Sequence, residues 1–123
     1  MDIKGIKLIT VPVSDQERAK EFYVDLLGFE ISQDMVMGPM RWLEVGAKGA
    51  TTSMALLPGL PGLAPGGLKG VQLATDDLDA DCQTLRAAGI TVDGPNQRPW
   101  GRDATFSDPD GNGFVLMASA PGR

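Results

Sequence analysis

The chain has 123 residues, which is enough for one domain with its own hydrophobic core. Its 11 basic and 16 acidic residues give a net charge of −5, which excludes the basic surface typical of a nucleic-acid-binding domain. One cysteine excludes an internal disulfide, and the absence of histidine excludes serine–histidine and cysteine–histidine catalysis.

The first half of the chain predicts a strand, a helix and three further strands. Residues 6–13 (IKLITVPV) are apolar and β-branched, as in a buried strand. Ser14 and Glu17 have the S-x-x-E spacing of a capping box, which predicts the start of a helix. Gly28 can end that helix in a left-handed conformation. The helix has an apolar stripe of Ala19, Phe22, Tyr23, Leu26 and Leu27. A strand is predicted to begin at residues 29–31, and further strands follow near residues 41–45 and at 51–57.

A connector separates this half from a second one. Residues 58–70 are rich in proline and glycine, and we expect their leucines to lie against the protein surface. A strand is predicted at residues 71–75, and Asp76 and Asp77 can cap a second helix. That helix has the stripe Leu78, Cys82 and Leu85, with Cys82 interpreted as a small buried hydrophobic residue. Further strands are predicted at residues 90–92, 102–107 and 113–118, with a type I turn at residues 108–111.

The two halves repeat one pattern. Gly28 and Gly89, which end the two predicted helices, are 61 residues apart, about half of the chain. A repeat of this length indicates duplication of a whole supersecondary unit. We therefore predict an α+β fold of two βαβββ modules forming a cup-shaped, mostly antiparallel sheet. The expected boundaries are 1–57 for the first module, 58–70 for the linker and 71–123 for the second module.

Three sequence segments resemble the vicinal oxygen chelate superfamily, which includes glyoxalase, bleomycin resistance proteins and dioxygenases. They are VPVSD-x-ERA-x-x-FY-x-x-x-LGFE, LATDD, and PWGR-x-x-x-FSDPDGNGFVL, and the resemblance extends from about Ile3 to Met117. It implies paired βαβββ modules, usually in a homodimer, with the binding site inside the cup.

Metal-dependent members of that superfamily carry one ligand on the first and one on the last strand of each module. Transferred position by position, the four ligand positions hold Leu8, Ala55, Gly70 and Val115. None of these side chains offers the imidazole, carboxylate or thiolate that a divalent metal needs. The resemblance therefore implies no metal and no cofactor here, and it argues against glyoxalase or dioxygenase activity.

Without a metal, the interior of the cup has the general form of a small-molecule site. The candidate ligand-binding residues are Thr10, Trp42, Ser53, Gln72, Trp100, Arg102, Val115 and Met117. The tryptophans can stack on a planar ligand or pack structurally. The arginines Arg41 and Arg102 can bind an anionic group or pair with a neighbouring aspartate. Three methionines, Met35, Met37 and Met40, are interpreted as core filling rather than as a binding surface.

Three functions remain open from the sequence. The first is a metal-free protein that sequesters a planar or cationic antibiotic or metabolite, in the manner of bleomycin resistance proteins. The second is a lyase or dioxygenase with unrecognised metal ligands. The third is a metal-independent isomerase or cyclase that uses Glu44, Tyr23 or an aspartate as acid or base.

Location and partners follow from composition. No apolar run approaches the roughly 18 residues of a membrane-spanning helix. Residues 1–5 lack the anatomy of a signal peptide. We expect a cytoplasmic homodimer that binds a small molecule and neither nucleic acid nor membrane.

Overall fold

The computed structural model describes residues 1–119, so the last four residues of the predicted second module lie outside the described part. In this described part, each half contains one helix and four strands. The first module has strands β1 (Leu8–Pro12), β2 (Glu30–Met37), β3 (Met40–Gly46) and β4 (Ser53–Leu57), with helix α1 (Gln16–Lys20) continuing as a π-helix over Glu21–Leu26. The second has β5 (Val71–Thr75), helix α2 (Leu78–Ala87), β6 (Asp93–Arg98), β7 (Gly101–Ser107) and β8 (Gly113–Ala118).

The strands form two four-stranded sheets with the same topology. The strand orders are β1-β4-β3-β2 and β5-β8-β7-β6. In each sheet the first and last strands of the module pair in parallel, and the other pairs are antiparallel. The predicted α+β fold of two βαβββ modules is confirmed, although each module forms its own sheet.

Two local predictions are wrong. Asp15, not Ser14, caps helix α1, because its carboxylate accepts the amide of Arg18 at 3.1 Å. The hydroxyl of Ser14 instead donates to Asp110 in the other module. Residues 90–92 form no strand: Ile90 and Val92 pack on the core, and Arg86 donates to the carbonyl of Val92 at 3.0 Å in place of a strand partner.

Both helices lie between the two sheets and share one core with them. The ring of Phe22 is 6.3 Å from that of Phe106, and Tyr23 lies edge-on to Phe114 at 5.9 Å. The first helix thus packs on the second sheet and joins the modules through aromatic contacts. Cys82 is buried in this core, and burial raises the pKa of its thiol, in agreement with a packing role.

The turn at residues 108–112 connects the modules by hydrogen bonds. The carboxyl of Asp108 accepts the hydroxyl of Tyr23 at 2.6 Å and the side-chain amide of Asn112 at 2.8 Å. The same amide donates to the carbonyl of Pro12 at 2.7 Å, and its oxygen accepts the amide of Leu68 at 3.2 Å. Asn112 is 0% exposed, so these bonds are shielded from water. The turn therefore holds the first module, the linker and the second module together.

Alkaline titration of Tyr23 tests this connection. Burial, followed by the hydrogen bond to Asp108, raises the pKa of this phenol above its ordinary value of 10.0. Because the pKa is higher in the folded state, the stabilisation present below pH 10 is lost as the pH rises, by about 1.4 kcal/mol per pH unit. Tyr23 is the only tyrosine of the chain, so phenolate absorbance reports it alone.

We expect phenolate absorbance to appear together with the loss of the circular dichroism of the folded protein. Phenolate formation near pH 10 with circular dichroism unchanged would contradict the buried hydrogen bond. The Tyr23→Phe variant provides the control, since its alkaline unfolding lacks this contribution.

Candidate functional site

Strand register places several predicted site residues on one side of the first sheet. Thr10 lies opposite Ala55 on the neighbouring strand, and Ala55 lies opposite Glu44. Residues paired directly across strands point to the same face, and alternate residues along a strand share a face. The face turned away from the core is called the first outer face, and its members include Leu8, Thr10, Trp42, Glu44, Ser53 and Ala55.

Glu44 is the centre of a polar network on the first outer face. Its Oε1 accepts the indole N–H of Trp42 at 3.0 Å, and its Oε2 accepts the hydroxyl of Ser53 at 2.6 Å. The hydroxyl of Ser32 lies 3.3 Å from the same Oε2. Hydrogen bonds from Ser53 and then Trp42 hold the pKa of Glu44 below its ordinary value. The group is therefore an ionised acceptor at neutral pH and a weak base.

An exposed apolar surface continues from this network along the β2–β3 hairpin. The cross-strand partner of Trp42 is Met35, which is 49% exposed. Met37 and Met40 pair with each other at the end of the hairpin and are also exposed. The expectation that these methionines fill the core is wrong, because β2 is the edge strand of its sheet and is exposed along its whole length.

The second sheet has an equivalent outer face. Register places Gln72 opposite Val115, and Val115 opposite Thr105, while Ala74 lies opposite Met117. The second outer face therefore includes Gln72, Ala74, Thr105, Val115 and Met117. An ion pair lies on the same face, because Asp103 is paired with Met117 in the sheet and is 3.3 Å from the guanidinium of Arg98.

Two predicted site residues lie elsewhere. The guanidinium of Arg102 is on the core side of β7 and donates to Asp79 of helix α2 at 2.8 Å. This ion pair raises the pKa of Arg102 and lowers that of Asp79. Trp100 lies at the β6–β7 turn, where it is 68% exposed. In the first module, Arg41 is likewise paired with Asp34 at 2.8 Å.

The acid–base candidate Tyr23 also lies away from the outer faces. Its hydroxyl is buried against Asp108 in the core, where it serves the connection between the modules. Of Glu44 and Tyr23, only Glu44 lies on an outer face, and Asp103 on the second outer face is already paired with Arg98.

The four positions where the superfamily places metal ligands do not fit a metal. Leu8, Ala55 and Val115 lie on strands β1, β4 and β8, and Gly70 immediately precedes β5. Their side chains have no donor atom for a divalent cation. Within residues 1–119 there is no group of three or more histidine, cysteine, aspartate or glutamate side chains that could hold a metal ion.

A cavity of about 440 Å³ between the two sheets was not predicted from the sequence. Its lining is mainly apolar and includes Ile9, Met54, Leu73 and Leu116. Two of its polar residues, Thr75 and Asp81, are hydrogen-bonded to each other. The cavity depends on how the modules pack, which no local pattern reports. Ser53 and Gln72 also line this cavity, whereas Trp42 and Glu44 are half-buried and lie outside it.

Sequence reasoning also missed Ser32 and the link between Trp42 and Glu44. The i, i+2 spacing of Trp42 and Glu44 is a signal for a shared strand face, and it was available in the sequence. Ser32 gave no such signal, because a register shift between Ile31 and Gln33 changes the alternation at this point.

No helix within residues 1–119 has the length and hydropathy needed to cross a bilayer.

The chain matches known proteins over nearly its whole length. The model of the family described as Glyoxalase/Bleomycin resistance protein/Dioxygenase superfamily matches residues 5–116. TnmS3, an antibiotic binding protein from Streptomyces sp. CB03234, is 50% identical in sequence to this chain. Its crystal structure matches with a TM-score of 0.92, and the match covers 98% of this chain and 99% of that one.

Two further relatives extend the similarity. A glyoxalase/bleomycin resistance protein from the same Streptomyces strain is 51% identical with a TM-score of 0.84, covering 92% of this chain and 99% of that one. The uncharacterized protein YetH of Bacillus subtilis (strain 168) is 36% identical over 117 residues, covering 93% of this chain and 98% of YetH.

Proposed function

We propose that this chain, which belongs to the Glyoxalase/Bleomycin resistance protein/Dioxygenase superfamily, is a metal-free binding protein that sequesters a planar antibiotic or metabolite. The single observation that carries the proposal is the arrangement of Trp42, Glu44 and Ser53 on the first outer face. An aromatic surface beside a fixed polar group is the usual composition of a small-molecule site.

The geometry supports binding rather than conversion of the ligand. The indole of Trp42 is half-buried and its N–H is occupied by Glu44, so the ring is held in place and can contact a planar molecule. Glu44, the acid–base candidate on this face, has a lowered pKa, which makes it a poor general base near neutral pH. TnmS3, which is 50% identical to this chain, is described as an antibiotic binding protein.

We also propose that the protein acts as a cytoplasmic homodimer. The outer faces bear exposed or half-exposed side chains, including Gln72 and Val115, and Val36 on the β2–β3 hairpin is 76% exposed. Exposed apolar surface of this kind is typical of an interface. A second copy would cover it and enclose the ligand. Light scattering after size exclusion is expected to give twice the chain mass of 13.0 kDa, and a mass of one chain at micromolar concentration would contradict the dimer.

Tryptophan fluorescence tests the binding proposal directly. The protein should be titrated with a panel of planar antibiotics that includes bleomycin and mitomycin C. We expect at least one compound to quench the fluorescence saturably. After release from the protein, that compound should be recovered chemically unchanged. Absence of saturable quenching across the panel would contradict sequestration.

Elemental analysis of protein purified without chelators tests the metal-free part of the proposal. Stoichiometric zinc, nickel, manganese or iron would contradict a metal-free protein.

A further inference from the structure

We infer that Glu44 makes the first outer face selective for ligands that carry a protonated nitrogen next to a planar ring system. The inference rests on the proposed function and specifies its ligand class. The protonated nitrogen would donate to the carboxylate of Glu44 while the attached ring contacts the indole of Trp42.

Glu44 carries a negative charge, and the groups that contact its carboxylate are neutral. Its three hydrogen-bond donors, Trp42, Ser53 and Ser32, are all neutral. Among residues 1–119, no lysine or arginine nitrogen lies within 4.0 Å of its carboxylate. Lys7, which immediately precedes β1, attracts Glu44 only from a distance and is itself exposed. The carboxylate thus remains available to a cation from outside the chain.

The carboxylate of Glu44 has capacity left to accept a further hydrogen bond. A carboxylate offers about four lone-pair positions. Two are used by well-formed bonds, at 3.0 Å from Trp42 and 2.6 Å from Ser53, and a third by the longer contact of 3.3 Å from Ser32. At least one position is left for a ligand. A charge-assisted bond from a protonated nitrogen is the strongest bond that this position can accept.

The charge of Glu44 is fixed in place before a ligand arrives. Ser53 and Trp42 lie on strands β4 and β3 and hold the two oxygens of Glu44 separately. A held carboxylate loses little conformational entropy on binding.

Nearby charges do not compete for this role. Arg41 and Asp34 on the same hairpin are paired with each other, and Arg41 also donates to Glu17 of helix α1. On the second outer face, Arg98 is paired with Asp103. The net charge of −5 further favours the approach of cations over anions.

Matched pairs of cationic and neutral planar probes test the inference. The pairs are 9-aminoacridine with acridine, and daunorubicin with N-acetyldaunorubicin, each compared at pH 7.5 by calorimetry with the wild type and Glu44→Gln. We expect the wild type to bind the cationic member of each pair about tenfold or more tightly than the neutral one. Glu44→Gln is expected to lose this preference, so that it binds the cationic and neutral members of each pair with affinities within about twofold of each other.

Glu21→Gln is the matched control, because it makes the same chemical change at an exposed position on the first helix. This variant should keep the cationic preference. A second measurement needs no variant: raising the salt concentration should weaken binding of the cationic probes by the wild type and leave binding of the neutral probes unchanged.

The outcomes separate the two proposals. If the probes bind saturably but the wild type shows no cationic preference, or Glu44→Gln keeps it, the inference about Glu44 is wrong and sequestration stands. If neither the four probes nor the antibiotic panel bind saturably, the proposed function itself is wrong.

Discussion

Replacing Asp108 by alanine is expected to lower the free energy of unfolding by about 3–5 kcal/mol, because several buried donors lose their acceptor at once. The carboxyl is 5% exposed and accepts the hydroxyl of Tyr23 and both the backbone and side-chain amides of Asn112. A buried polar group left without a partner costs about 1–3 kcal/mol. The loss is not confined to one module, since these bonds connect residues of both.

Urea denaturation followed by circular dichroism measures this effect, and two other variants define its size. Tyr23→Phe removes one hydrogen bond and keeps the ring, so we expect a loss of about 1–2 kcal/mol. Asp25→Ala is the matched control at an exposed position and should change stability by less than about 0.5 kcal/mol. A loss for Asp108→Ala no greater than that for Asp25→Ala would show that the turn does not connect the modules.

Replacing Trp42 by alanine is expected to weaken binding of a planar ligand by about tenfold to a hundredfold. Removal of an aromatic stacking surface costs about 1–3 kcal/mol per ring. The substitution also releases the Oε1 of Glu44 from its 3.0 Å hydrogen bond, so the carboxylate becomes less well held. The measurement is calorimetry with whichever compound of the antibiotic panel quenches the wild type, accompanied by thermal unfolding to show that the variant is folded.

Trp100 provides the control for this experiment. It is 68% exposed at the β6–β7 turn, whereas Trp42 lies on the first outer face. In Trp100→Phe the only remaining tryptophan is Trp42, so we expect ligand quenching to persist in this variant. Quenching that disappears in Trp100→Phe and persists in Trp42→Phe would move the ligand site away from the first outer face.

Much of the fold could be predicted because the signals are local. The strand at residues 71–75 matches β5, and the strand at residues 113–118 matches β8. In the turn between β7 and β8, the amide of Gly111 donates to the carbonyl of Asp108 at 3.0 Å, as a β-turn requires. Each of these features depends on residues within a few positions of one another.

The wrong predictions share a physical cause, which is competition from distant partners. Ser14 fits a capping box, but its backbone amide and hydroxyl both bind Asp110, which is 96 residues away in sequence. Ile90 and Val92 have the composition of a strand, but the core takes their side chains without strand pairing. The ion pair of Arg102 with Asp79 of helix α2, one of the two alternatives left open for this arginine, likewise depends on a residue far away in the sequence.

By itself, the sequence determined the composition of any site this protein can have. With no histidine, and with Leu8, Ala55, Gly70 and Val115 at the family ligand positions, the donors that a metal needs are absent from those positions. Side-chain chemistry is a property of each residue, so it can be listed without coordinates. Thr10 and Ser53, two of the candidates named from the sequence, lie on one face of the first sheet.

Only the tertiary structure decided which of the candidate residues act together. Glu44 is an ordinary strand glutamate in the sequence. Its carboxylate is held because β3 and β4 lie side by side and Ser53 reaches it, and within residues 1–119 it has no lysine or arginine partner. Hydrogen bonds and ion pairs depend on distances of about 3 Å between groups far apart in the chain. The register of strands and the packing of the helices between the sheets set those distances, and no local pattern encodes them.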